Sequence, residues 1–86
     1  MLTEWRKQID NIDEEIIKLL WERFSIVEKI WIYKKENNIE IIQIDRWQQV
    51  LADRIKLWAE NGLSSELIKN AWEAIHIEAI RKEELK

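Results

Sequence analysis

Eighty-six residues suit a single domain, and 36% charged with 47% hydrophobic side chains describes a folded chain that is neither disordered nor membrane-spanning. The 14 basic and 17 acidic residues leave a net charge of −3, which argues against a nucleic-acid binder, because those carry a basic surplus. With no cysteine, no proline, one glycine (Gly62) and one histidine (His76), the chain lacks the parts for disulfides, thiolate or imidazole metal cages, a Ser-His-Asp triad and glycine-rich phosphate loops. Any chemistry therefore falls to Arg, Lys, carboxylate and amide side chains. The opening MLTEWRKQID is charged where a signal peptide needs an apolar run, so a cytoplasmic protein is expected.

Abundant Glu, Lys, Leu, Ile and Arg predict an all-helical protein. Apolar residues step by three and four through Leu2, Trp5, Ile9, Ile12, Ile16 and Leu19, pass Arg23, and resume at Ile26, Ile30 and Tyr33. This heptad-like rhythm predicts one helix over about 2–37, ending near Asn37-Asn38 because Asn tolerates the left-handed cap conformation. Residues 38–44, rich in β-branched side chains, read as an extended connector. Asp45 with Gln48 fits a capped start for a second helix over about 45–61, with Trp47, Leu51, Ile55 and Trp58 on one side and Asn61-Gly62 as its stop. Ser64 fits the next N-cap, and a third helix over about 64–85 places Ile68, Trp72, Ile75 and Ala79 on its buried face.

A first helix of about 36 residues spans about 54 Å, against a diameter near 30 Å for a compact chain of this size. Half of it would stand in water with Ile and Trp exposed, so a second copy laid alongside is expected, most simply as a two-fold homodimer. The alternative is a helix broken near Trp31 that folds back into a four-helix monomer.

Arg23 lies on the apolar seam itself. Lys34, eleven residues on, returns to within about 20° of the same face and lies about 16 Å away. Buried cations need an anion, so something negative should lie between them. The bland alternatives are pairing of Arg23 with Glu22 or Glu28, and snorkelling of Lys34 to solvent. Arg46, at the head of the second helix, tips the balance towards an anion site. Arg6 is about 26 Å from Arg23 along one helix, so it could complete only a partner's site in an antiparallel pair.

The runs Trp5-Arg-Lys-Gln-Ile-Asp10, Ile12-Asp13, Leu19-Leu20, Glu22-Arg23 and Lys34-Lys35 resemble the first helix of the all-helical (type II) chorismate mutases. Ile44-Asp45-Arg46, Asn61-Gly62-Leu63 and Ala74-Ile75-His76 continue the likeness, which covers about Trp5 to Glu83 and looks closest to the mutase domain that some bacteria carry fused to a DAHP synthase. The resemblance implies an intertwined helical homodimer with two sites that converts chorismate to prephenate without nucleophile, metal or cofactor. It implies that Arg23 and Arg46 hold the substrate's carboxylates, that Arg6 reaches in from the other subunit, and that Lys34 donates to the ether oxygen. A DAHP synthase is the further partner it suggests; no nucleic acid or membrane partner is expected.

Four positions depart from the family's pattern. Glu83 stands where bacterial members commonly carry Gln as a second donor to the ether oxygen, so it would have to act protonated, as Glu does in fungal members. Ala79 replaces a Ser that contacts substrate, Trp47 a Glu that binds its hydroxyl, and Gln43 an Asp of the connector. Each lost partner typically costs about 1–3 kcal/mol, so the changes point to weakened activity. The six tryptophans (5, 21, 31, 47, 58 and 72) read as core or interface anchors, with Trp21 and Trp31 at positions where the family tends to have small residues. His76 reads as structural. Besides the mutase, the sequence allows an isochorismate-pyruvate lyase on the same scaffold, or a helical dimerisation or regulatory module that keeps the fold without the activity. An unrelated acidic coiled coil would not account for Arg23 on the seam.

Overall fold

In the computed structural model, which describes residues 1–40 and 43–84, the chain forms three helices: α1 (Leu2–Glu36), α2 (Ile44–Ala59) and α3 (Ser65–Glu84). The fold is all-α, with the long first helix that the heptad rhythm predicts. α1 is continuous through Trp31, which removes the broken-helix alternative. The molecule measures 55 × 25 × 15 Å with a radius of gyration of 15.9 Å, well above the roughly 12 Å of a compact chain this long. Among the described residues, no helix is long and apolar enough to cross a membrane.

The helix ends follow from local chemistry. At the end of α1, Asn38 takes a left-handed φ of 53°, and the Ile39 N–H closes back on the Lys34 carbonyl at 2.9 Å. Gly62, at φ 78°, repeats this motif after α2, with the Leu63 N–H on the Trp58 carbonyl at 3.1 Å. The Ser64 hydroxyl accepts the Leu67 N–H at 3.1 Å and so caps α3. The start of α2 differs from expectation. Its N-cap is Gln43, with extended backbone and no side-chain cap, and Asp45 sits inside the first turn. A carboxylate there still answers the positive end of the helix dipole, so one Asp satisfies either register. The connector's Ile41 and Ile42, and Leu85 at the far end, lie outside the described residues.

α3 is the hub, packing against both α2 and α1. Its buried stripe is Ile68, Ala79 and Glu83, with Trp72, Ile75 and His76 half-buried between them. From α2 it receives Val50 and Trp58, whose ring lies 6.2 Å from that of Trp72 at a tilt of 43°. The indole N–H groups of Trp31, Trp58 and Trp72 are buried without an acceptor, so these residues contribute apolar area and not hydrogen bonds.

The α1 face that meets α3 is not the predicted seam. It is Leu20, Phe24, Val27 and Trp31, of which Trp31 is 7% exposed. The predicted Leu19, Ile26, Ile30 and Tyr33 lie one residue earlier, about 100° round the helix, and are exposed. So are Leu2, Trp5, Ile9, Ile12 and Ile16 on the half of α1 that projects beyond the other helices. α1 therefore carries two apolar faces, one used within the chain and one left open.

Candidate active site

Arg23 borders both faces of α1 and is half-buried. Its close electrostatic neighbour is another cation, Arg54 of α2. Burial first, and the Arg54 charge second, push the Arg23 guanidinium below its ordinary pKa. Two guanidiniums sharing a half-buried site favour the arrival of an anion, which removes their repulsion and part of the desolvation cost.

Eleven residues along α1, Lys34 is half-buried and acts electrostatically on Glu83 of α3. Glu83 is 9% exposed; burial pushes its carboxyl above the usual Glu value, and Lys34 partly offsets the rise. The protonated carboxyl is thereby favoured, and in that form it can donate a hydrogen bond. Ala79 lies one turn before Glu83 on the same face, buried and without a hydroxyl to offer. Glu83 also lines a cleft of about 400 Å³ with Trp21, Phe24, Val27, Trp31 and Lys82. Lys82 sits 4.9 Å over the Phe24 ring at its edge.

Trp47 of α2 stacks on His76 of α3, ring centres 3.9 Å apart and planes within 7°. Burial, then the nearby Arg23, lower the His76 pKa below its ordinary value, so the ring is neutral at pH 7. His76 thus stands at the cationic end of this cluster. Arg54 is the other residue that the sequence reading passed over. Its signal was spacing, since it lies seven residues after Trp47 and shares that face.

The remaining candidates lie apart in the single chain. Arg46 and Gln43 are exposed at the head of α2, lining an open groove with Glu40 and Asp45. Arg6 is exposed on the projecting half of α1. The chain itself brings together Arg23, Arg54 and His76 at one end and Lys34 with Glu83 at the other, with Trp47 and Ala79 beside them.

The family model of chorismate mutase type II matches residues 5–84 of the chain. This chain belongs to the type II chorismate mutase family. It is 40% identical over 76 residues to a bifunctional chorismate mutase/prephenate dehydratase of Buchnera aphidicola subsp. Acyrthosiphon pisum (strain APS), covering 88% of this chain and 20% of that protein. It is 38% identical over 56 residues to the protein of the same name from Aquifex aeolicus (strain VF5), covering 65% and 16%. A third, from Buchnera aphidicola subsp. Schizaphis graminum (strain Sg), is 32% identical over 79 residues, covering 92% and 20%. The chain thus spans about a fifth of these relatives' length or less. All three join the mutase to a prephenate dehydratase, which corrects the expected likeness to mutase domains fused to DAHP synthase. No solved structure matches the chain.

Proposed function

We propose that this chorismate mutase domain rearranges chorismate to prephenate as a homodimer. Arg23 holds a substrate carboxylate, joined by Arg46 and by the partner subunit's Arg6, while Lys34 and protonated Glu83 donate to the ether oxygen as its bond breaks. The rearrangement is unimolecular, so the work is restraint of a flexible dianion and stabilisation of charge at one oxygen. Arginine suits the carboxylates because its planar fork binds them bidentately. Gln43, Trp47 and Ala79 line the substrate's other edge in this reading. They leave its hydroxyl with fewer partners, so turnover is slow for the family. The observation that carries the reading is the half-buried Arg23–Arg54 pair, on the seam that also holds Lys34 and Glu83.

The test is loss of chorismate absorbance on mixing with purified protein, repeated with Arg23→Ala. A charged hydrogen bond contributes about 1.5–3 kcal/mol, so the variant should lose roughly 10- to 100-fold in kcat/KM. Absence of turnover at every pH from 5 to 8 would instead favour a dimerisation or regulatory module on this fold.

A further inference from the structure

His76 has no part in the rearrangement just described, yet three helices converge on the stack it forms with Trp47. α2 supplies Trp47 and, two turns on, Arg54; α1 supplies Arg23; α3 supplies His76 itself. The charged residues nearest in register on α3 are Glu73, one turn before His76, and Glu83, two turns after it, where Lys34 of α1 also faces. Two guanidiniums therefore stand beside a ring that is able to take a third positive charge.

We propose that His76 is a proton-responsive wall of the anion site: when a dicarboxylate lies against Arg23 and Arg54, His76 takes a proton from solvent and becomes a third cationic contact, held in place by Trp47. The inference rests on the dianion-binding reading above. Burial and the Arg23 charge favour the neutral imidazole. A bound dianion reverses the sign of the local potential, which favours the imidazolium. Lying flat on the indole, the imidazolium gains a cation–π contact that the neutral ring lacks. Linkage then requires the converse, that the dianion binds more tightly as pH falls through the range where His76 titrates. His76 is a ligand-binding residue here, since it meets the dianion's charge and does not touch the bond that breaks.

The chain's one imidazole gives one Hε1 signal, so proton NMR of the unmutated protein reads His76 directly. The probe is an unreactive bicyclic ether dicarboxylate shaped like the rearranging substrate. Saturation with it should move the His76 titration midpoint to higher pH. In a Glu83→Gln background, which removes that carboxyl's own titration, affinity should be about tenfold tighter at pH 5.5 than at pH 8, equivalent to about 1.4 kcal/mol. His76→Gln in the same background should flatten this dependence. Should that variant fail to fold, the NMR titration decides alone. Saturable binding with an unmoved midpoint overturns the inference and spares the functional reading; no binding of the probe overturns both.

Discussion

The two apolar faces of α1 are built from the same residue types and have opposite fates. Leu20, Phe24, Val27 and Trp31 close on α3, while Leu19, Ile26, Ile30 and Tyr33, one residue earlier, remain open along with the stripe from Leu2 to Ile16. A lone helix with a single buried face needs one apolar stripe, and the second one, along 55 Å of molecule, is the surface on which the homodimer proposed above would form. The packed face builds the Lys34–Glu83 end of the site, and Arg23, on the border between faces, belongs to both. Activity in this reading thus requires the open face to be covered, because only a second copy can deliver Arg6.

The most severe way to break this comparison is to charge the open face. Ile9→Asp with Ile16→Asp removes four buried side chains per dimer. At about 1.5 kcal/mol each they contribute roughly 6 kcal/mol, some ten-thousandfold in the dimer Kd. Sedimentation at micromolar concentration should move from dimer to monomer, and turnover should vanish with it. The helices should persist by circular dichroism, since these residues are exposed within the chain. An unmutated protein that sediments as a monomer, or a doubly charged variant that stays dimeric, would refute the assignment of the open face.

A smaller effect probes the packed face. Burial raises the folded-state pKa of Glu83 above its ordinary 4.5, so the protonated form is favoured on folding. The corresponding stability is fully present below that ordinary value and is lost as pH climbs through the raised one. His76 and Arg23 shift the other way. For His76, stability is present above its ordinary 6.5 and is lost as pH falls through the lowered value. If protonated Glu83 is the donor, kcat/KM falls as pH rises from 5 towards 8. Glu83→Gln, a permanent donor of similar size, should give a flatter profile and exceed the unmutated enzyme at pH 8. A profile that is flat or rising in the unmutated protein removes Glu83 from the chemistry.

How much of this could be read from the sequence depended on whether a feature is local. The ends at Asn38, Gly62 and Ser64 were legible because cap chemistry is written in one or two residues. The head of α2 was not, since Asp45 is as stable in the first turn as at the cap. Heptad counting found the open face of α1 and missed the closed one. Counting favours the longer stripe, whereas α3 selects whichever stripe its own Ala79 and Glu83 can reach. Arg23 and Lys34 were visible as cations out of place on a seam. Arg54 and His76 were not, because each gains its role from a residue on another helix.

The mildest test concerns the turn that lets α3 reach back to both of its neighbours. Gly62 holds φ 78°, and a methyl group added there would meet no atom within 4 Å. Gly62→Ala therefore costs only the left-handed backbone, about 1 kcal/mol, or roughly 4–8 °C in Tm for a domain this size. Asn38 makes the same turn at φ 53° in a residue type that already tolerates it, so Asn38→Gly should gain a few tenths of a kcal/mol at most. Both variants leave the open face of α1 untouched, so at matched protein concentration they should shift Tm without changing the sedimenting species. A Gly62→Ala protein that became monomeric would show that the packed and open faces are coupled through α3, and that treating them as separable is wrong.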